Sequence, residues 1–268
     1  MTKPPFTTTE ISEPIFESNH LRFITVKSPN LKGRGDFCVF IPPVNHLKHA
    51  PLVILLHGVY GSSWAWSHQG GVHFIANQLI QQQEINPMVI AMPSDGLWGD
   101  GSAYLPHNGY DFEKWIVEDV PAAVMQHIEG VDAHSKLLIG GLSMGGFGAL
   151  HLGVNHAHIF SGISAHSAIT DISQMSLFVE EDIENYRQVM AYRESVWESI
   201  LRNRSKLPPM RFDCGTDDPL LPYNQLLHRQ LSDAKIFHIY QEFAGGHEWP
   251  YWQRHVKDTL LFFDQINR

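Results

Sequence analysis

Residues 137–150 decide the fold and read Leu137-Leu-Ile-Gly-Gly-Leu-Ser143-Met-Gly145-Gly-Phe-Gly-Ala-Leu150. The apolar start predicts a buried strand, and the residues after Ser143 favour a helix. The G-x-S-x-G pattern around Ser143 therefore stands at a strand-to-helix turn, which is where a nucleophilic serine is presented at a sheet edge. The simpler alternative is a glycine-rich turn with an incidental serine, because so short a motif also occurs by chance.

Short apolar runs alternate with helical patterns along the rest of the chain. Strands are predicted at 52–56, 88–92, 137–139, 159–164, 210–214 and 236–240, and helices at 72–83, 111–128, 144–156, 222–232 and 250–266. Continuous apolarity is typical of strands covered on both faces of a parallel sheet. Residues 21–28 and 36–41 predict a hairpin of two earlier strands. The predicted fold class is therefore α/β, with a mostly parallel, doubly wound sheet and flanking helices.

One segment interrupts this alternation. Residues 171–207 are charged and helical in pattern, and they stand between two predicted strands. We interpret them as a helical insertion that forms a lid, while an ordinary exposed helical excursion remains the alternative. The length of 268 residues favours one domain over 1–268 that includes this insertion.

A second strand ends in a loop suited to binding an oxyanion. The run Leu52-Val-Ile-Leu-Leu leads into His57-Gly58-Val59. In the strand–turn–helix arrangement, the loop after this strand and the residue after the nucleophile each supply a backbone N–H. These positions predict Val59 and Met144 as the donors. His57 precedes the nucleophile in the chain, and we interpret it as a structural histidine.

An acid and a base follow the serine in the expected order, each after a predicted strand. Cys214-Gly-Thr-Asp-Asp218 supplies the acid, for which we favour Asp218 over Asp217; Asp213 and Asp217 are interpreted as turn or capping residues. Gly245-Gly-His247 supplies the base, because this histidine alone lies in a glycine-rich loop after the last strand. An aspartate on Nδ1 of such a histidine fixes its tautomer and orientation.

These motifs together resemble the esterase D family of α/β-hydrolases. The resemblance covers His57-Gly58, Gly141-Leu-Ser-Met-Gly-Gly146, Cys214-Gly-Thr-Asp-Asp218 and Gly245-Gly-His-Glu-Trp-Pro-Tyr-Trp252, with Glu118-Asp-Val-Pro121 as a structural feature. It is nearest to the tributyrin-type, acetyl and feruloyl carboxylesterases. It implies a cofactor-free triad of Ser143, Asp218 and His247. S-Formylglutathione hydrolases belong to the same family, but they carry a cysteine-containing segment after the oxyanion loop that is missing here.

Aromatic residues gather on the loops that follow the strands, where ligands bind in this architecture. We predict a substrate pocket lined by Tyr60, Trp64, Trp98, Tyr104 and Trp249. Core packing is the alternative for each of these residues taken singly.

Composition limits the classes of binding partner and the cellular location that the sequence predicts. The net charge of −9 and the lack of a basic run argue against nucleic acid and anionic membranes as partners. Two cysteines and an N-terminus without an apolar core predict a cytoplasmic protein. No Cys/His ligand set is apparent, so we expect no metal or other cofactor. A homodimer is left open.

The sequence thus predicts a serine carboxylesterase for small esters with short or aromatic acyl groups, acting through an acyl-enzyme on Ser143. A thioesterase acting on S-formylglutathione is the first alternative. A non-catalytic binding protein on the same fold is the second, although such proteins usually lose a triad residue.

Overall fold

The computed structural model describes residues 6–268 and contains eleven strands. They are β1 Thr9–Ile11, β2 Leu21–Ser28, β3 Gly33–Phe40, β4 Leu52–Leu56, β5 Val89–Pro93, β6 Pro106–His107, β7 Tyr110–Asp111, β8 Leu137–Leu142, β9 Phe160–His166, β10 Met210–Gly215 and β11 Ile239–Phe243. Nine of them form one sheet in the order β1-β2-β3-β5-β4-β8-β9-β10-β11, and β6 pairs with β7 separately. The pairs from β1 to β5 are antiparallel, and all pairs from β5 to β11 are parallel.

Helices connect the parallel strands. They are α1 Val72–Gln81, α2 Phe112–Lys114, α3 Val120–His127, α4 Met144–Asn155, α5 Val196–Arg202, α6 Leu221–Asp233 and α7 Trp249–Asn267, with π-helical turns at Ala65–Gln69 and Trp115–Asp119. This alternation of helices with a mostly parallel sheet confirms the predicted α/β fold class. Within residues 6–268, no helix is long and apolar enough to cross a bilayer.

The two faces of the sheet carry separate apolar clusters. One contains α3, α4 and α5 residues such as Val124, Phe147 and Ile200. The other contains Val72 of α1 and Leu260 of α7. Strands β4 and β8 are buried along their whole length because helices cover both of their faces. The loops at their carboxyl ends are thereby fixed on a rigid base.

The last strand begins later than the sequence predicts. The prediction of 236–240 is wrong at its start, because β11 begins at Ile239. The Ile236 amide donates to the Leu231 carbonyl and closes the end of α6, and His238 Nδ1 donates to the Ile236 carbonyl. These bonds form a turn that delays the strand.

The segment 171–207 lies between β9 and β10. It contains α5 and four short 3₁₀ turns, at Ile172–Leu177, Ile183–Tyr186, Ala191–Glu194 and Arg204–Lys206. An isolated bridge between Asp171 and Ser195 joins the ends of its first part. The segment is therefore a string of tight turns with one helix, and its first part lies beside the loops described next.

Candidate active site

Ser143 stands at the sharp turn between β8 and α4. Its backbone has φ 55° and ψ −120°, a region that residues with a side chain rarely adopt. A Cβ atom at Gly141 would overlap the carbonyl of Gly145, so only glycine fits there. The Ser143 amide donates to the His166 carbonyl at 3.0 Å, which anchors the turn to β9. This strained turn holds the hydroxyl outside the strand edge.

Three side chains from separate loops form a continuous hydrogen-bonded chain. The Ser143 Oγ lies 2.9 Å from His247 Nε2, and His247 Nδ1 lies 2.9 Å from Asp218 Oδ2. Asp218 follows β10 and His247 follows β11. Both strands run parallel to β8, so the loops after these three strands lie at the same edge of the sheet. The structure thus brings together the three residues that the sequence predicts as a triad.

Asp218 is held as a carboxylate in a buried place. Burial on its own would raise the pKa of Asp218, but hydrogen bonds from His247 and from the Leu220 amide hold this pKa below its ordinary value. A charged carboxylate is thus available on Nδ1 of the imidazole, where it favours the tautomer with a free Nε2. The neighbouring Asp217 is exposed, and its amide donates to the Gly245 carbonyl, so it shapes the turn.

The loop after β4 runs directly against the serine. A Cβ atom at Gly58 would lie 3.2 Å from the Ser143 Cβ. Val59 follows it, and Met144 is the first residue of α4, where amides lack intrahelical partners. Neither amide donates a hydrogen bond to another residue of the described range 6–268. Both predicted donors therefore have N–H groups without a partner among residues 6–268; Met144 directly follows Ser143, and Val59 follows the Gly58 that lies against the serine.

His57 holds this loop through hydrogen bonds from its buried ring to the backbone. Its Nδ1 donates to the Gly58 carbonyl at 2.6 Å, and its Nε2 accepts the Asp95 amide at 3.1 Å. The ring is buried. Because both ring nitrogens are engaged with the backbone, His57 is in a structural position, as the sequence predicts.

Ser143 and His247 open onto a cavity of about 500 Å³. Its walls are mainly apolar and aromatic, a composition common in small-molecule sites. They are formed by His57, Gly58, Val59, Tyr60, Gly61, Ala65, Gln69, Leu142, Phe178, Glu248, Trp249, Pro250 and Trp252. Tyr60 and Trp249 are the two predicted pocket residues in this set.

The other three predicted pocket residues do not line the cavity. Tyr104 is fully buried, and its hydroxyl donates to the His57 carbonyl at 2.9 Å, so it supports the oxyanion loop from inside. Trp98 packs edge-on against His107 and Tyr186 at 4.6 and 5.7 Å. Trp64 is 44% exposed at the surface. An aromatic side chain on a loop can point into the core, into the solvent or into the site, and the sequence pattern is the same for all three.

Two aromatic residues contact the imidazole: Trp252, which lies in the sequence motif that contains His247, and Phe178, which the sequence does not indicate. Phe178 stacks on His247 with ring centroids 4.9 Å apart, and Trp252 meets the imidazole edge-on at 5.0 Å. Trp252 lies one helical turn from Trp249 on α7. Phe178 lies in the charged insertion, and no local signal marks it.

A buried polar cluster lies behind the site. Asp213 is fully buried on β10, pairs with His166 and Arg211 at 2.9 Å, and accepts the Tyr251 hydroxyl at 2.8 Å. It is therefore part of the core of the sheet, and its interpretation as a turn or capping residue is wrong. The Ser167 amide donates to the Asp213 carbonyl, which couples this cluster to the loop behind Trp252.

The described residues contain no group of three or more His, Cys, Asp or Glu side chains placed to hold a metal ion. The geometry places a serine hydroxyl, an imidazole and a carboxylate in one hydrogen-bonded chain, and two backbone amides without partners among residues 6–268 lie on the adjoining loops. Such an arrangement suits acyl transfer through a covalent intermediate.

Known proteins resemble this chain over most of its length. The family model described as "Putative esterase" matches residues 28–263. An acetyl esterase of Caldicellulosiruptor saccharolyticus is 25% identical over 234 residues, which are 80% of this chain and 83% of that protein.

Solved structures share the fold. A ferulic acid esterase superposes with a TM-score of 0.78 at 24% identity, covering 96% of this chain and 99% of that one. An S-formylglutathione hydrolase from Agrobacterium tumefaciens gives 0.76 at 18% identity, covering 97% and 98%. With the family model matched over most of its length, the chain belongs to the esterase D-like family of α/β-hydrolases.

Proposed function

We propose that this esterase-family protein is a serine carboxylesterase that hydrolyses small esters with short or aromatic acyl groups. One observation carries the proposal: Ser143 Oγ and His247 Nε2 lie 2.9 Å apart at the wall of an open cavity, with Asp218 on the far nitrogen of the imidazole. A candidate base must lie within hydrogen-bond reach of the proton that it removes, and this one does.

The reaction follows from these positions. Ser143 Oγ attacks the ester carbonyl carbon while His247 Nε2 takes the hydroxyl proton, and the Asp218 carboxylate stabilises the imidazolium. The tetrahedral intermediate collapses, the C–O bond to the alcohol breaks, and His247 gives its proton to the leaving oxygen. Water then attacks the acyl-enzyme with His247 as base, which releases the acid and restores Ser143.

The Val59 and Met144 amides would bind the oxyanion formed in each step. Both N–H groups are free within residues 6–268. A preorganised donor at this position is worth about 3–4 kcal/mol in the transition state. Since only the backbone acts, side-chain changes at Val59 should matter little, provided the loop keeps its path.

The size and lining of the cavity support a small apolar acyl or alcohol group. A volume of about 500 Å³ lies within the usual range for small-molecule sites. Tyr60 and Trp249 offer aromatic surface on its walls. The names of the relatives, an acetyl esterase and a ferulic acid esterase, point to the same class of ester.

A thioester of glutathione is the second candidate, suggested by the S-formylglutathione hydrolase among the solved structures. Glutathione carries two carboxylates, and a site for it gains from a cationic side chain. The cavity wall contains no lysine or arginine among the described residues, and its one carboxylate is Glu248. Like charges disfavour binding, so this charge distribution favours neutral oxygen esters.

The test combines labelling with a substrate comparison. A fluorophosphonate probe should label the protein once, and Ser143→Ala should abolish both labelling and p-nitrophenyl acetate hydrolysis, with a loss of at least about 10⁴-fold. The variant Ser205→Ala, at an exposed position, should behave as the unchanged protein. The ratio of kcat/KM for p-nitrophenyl acetate to that for S-formylglutathione should exceed one.

Three outcomes would oppose the proposal. Hydrolysis that survives Ser143→Ala would remove the nucleophile assignment. A higher kcat/KM for the thioester would favour the second candidate. A folded protein that the probe does not label would indicate a binding protein on the same fold.

A further inference from the structure

The imidazole of His247 contacts two aromatic rings. Phe178 covers one face at 4.9 Å with an angle of 23° between the ring planes, and Trp252 approaches at 5.0 Å with an angle of 88°. The hydrogen bonds to Ser143 and Asp218 lie in the plane of the imidazole and fix it at two atoms. The aromatic contacts restrict the remaining motion, which is rotation out of that plane.

The two rings are fixed by different means. Trp252 belongs to the long helix α7, and its Nε1 donates to the Ser167 Oγ at 3.2 Å. Phe178 follows the 3₁₀ turn Ile172–Leu177 in the inserted segment, and its amide donates to the Met175 carbonyl at 2.8 Å. Its position over His247 therefore depends on where the inserted segment lies.

Asp100 ties this segment to the oxyanion loop. Its Oδ2 accepts the Glu180 amide at 2.7 Å and the Tyr60 hydroxyl at 3.0 Å. Its own amide donates to Glu181 Oε1 at 2.9 Å, and its carbonyl accepts the Tyr60 amide at 2.8 Å. Glu180 and Glu181 lie within three residues of Phe178, so one aspartate connects the covered imidazole with the loop that carries Val59.

We propose that Phe178 is a positioning residue for His247, and that Asp100 holds the inserted segment so that the Phe178 ring stays on the imidazole. The proposal rests on the proposed function, in which His247 becomes an imidazolium at each proton transfer. The face of an aromatic ring attracts a cation. The Phe178 ring thereby attracts the imidazolium that forms during proton transfer and keeps Nε2 of His247 directed at Ser143, and the insertion becomes part of the catalytic arrangement.

Substitutions at Phe178 separate the ring face from mere apolar bulk. With p-nitrophenyl acetate, Phe178→Leu should lower kcat by about five- to twentyfold while KM changes by less than about twofold. Phe178→Tyr keeps the flat ring and should stay within about twofold of the unchanged kcat. The rate of fluorophosphonate labelling should fall in Phe178→Leu in parallel, because it also depends on His247 as base.

A double-mutant cycle tests whether Asp100 holds the inserted segment in place. Asp100→Ala should lower kcat, and Tyr60→Phe measures the part of this loss that comes from the Tyr60 hydroxyl alone. In the Phe178→Leu background, the remaining part should disappear, because the ring that Asp100 holds in place is already absent. Thermal unfolding of each variant identifies any loss that comes from misfolding.

Several results would overturn this inference while leaving the proposed function intact. A Phe178→Leu variant with unchanged kcat, a loss confined to KM, or an equal loss in Phe178→Tyr would each do so. Full additivity of Asp100→Ala and Phe178→Leu would remove the role of Asp100. Failure of the proposed function differs from all of these, since it shows in the unchanged protein or in Ser143→Ala: as absent labelling, as a higher kcat/KM for the thioester, or as hydrolysis that survives the loss of Ser143.

Discussion

Gly145 lies where the helix after the nucleophile meets the neighbouring strand. A Cβ atom there would overlap the carbonyl oxygens of Leu56 and His57, which are backbone atoms of β4 and its following loop. Neither can yield without moving the strand that leads to the oxyanion loop. Position 145 therefore requires glycine because α4 packs closely against the β4 backbone. The unusual backbone angles of this turn are those of Ser143.

Gly145→Ala should damage both stability and activity. The helix α4 must shift away from β4, which moves Ser143 relative to His247, and overpacking of this kind costs about 1–3 kcal/mol. We expect a lower free energy of unfolding in urea and a loss of at least about tenfold in kcat/KM. Gly33→Ala is the matched control, since its Cβ would lie 3.5 Å from the nearest atom, the Leu31 carbonyl oxygen. Equal behaviour of the two variants would refute the argument.

The residues brought together as the triad could be predicted because each occupies a loop after a strand, in a fixed chain order. Their meeting at one sheet edge follows from parallel topology. Tyr104 and Phe178 could not be placed in this way. Tyr104 lies in a loop and has a left-handed backbone with φ 56°, and Phe178 reaches the site from an inserted segment that folds as short 3₁₀ turns instead of the helices that its pattern predicts. Side-chain direction in irregular loops depends on tertiary contacts that no local pattern encodes.

Among the elements, the buried central strands were the best predicted. The prediction of 52–56 agrees with β4 because the run is wholly apolar, whereas β8 extends past 139 to Leu142 through two glycines that carry no apolar signal. The edge strand β11 is largely exposed, and its predicted start is wrong. Burial on both faces produces the continuous apolar pattern, and an edge strand lacks it.

The π-helical turn Trp115–Asp119 connects its helix to the early hairpin. Asp119 is buried; its carboxylate accepts the Ser28 hydroxyl at 2.5 Å and the Asn30 side-chain amide at 3.0 Å. The Ser28 Oγ in turn accepts the Leu31 amide at 2.9 Å. This gives a structural account of Asp119 in the Glu118-Asp119-Val120-Pro121 motif, because its carboxylate holds the turn between β2 and β3.

Asp119→Ala should therefore destabilise the protein without removing its chemistry. The substitution leaves the buried Ser28 hydroxyl without its acceptor, which costs about 1–3 kcal/mol. We expect that decrease in the free energy of unfolding, and an unchanged kcat/KM well below the melting temperature. Glu118 is exposed and adjacent to Asp119, so Glu118→Ala should change neither the free energy of unfolding nor kcat/KM. An equal decrease in both variants would show that the loss comes from the helix and not from these bonds.

The whole molecule holds several of its 17 histidines neutral by burial. Desolvation lowers the pKa of His107, His127, His151 and His238, and it lowers that of His73 from 6.5 to about 4. A depressed histidine pKa means that the unfolded chain binds more protons than the folded one. The free energy of unfolding should thus fall as the pH is lowered from 6.5 towards 4, and stay level above that window.

His73 gives the most direct test of this dependence. It is buried on α1, its Nδ1 has no hydrogen-bond partner among the described residues, and His68 and His20 add to the lowering of its pKa. His73→Leu should remove up to about 1.4 kcal/mol per pH unit from the slope of unfolding free energy between pH 4 and 6.5. Urea unfolding at several pH values measures this slope, with the exposed His46→Gln as control. A slope that His73→Leu leaves unaltered would mean that the acid sensitivity of the fold comes from other groups.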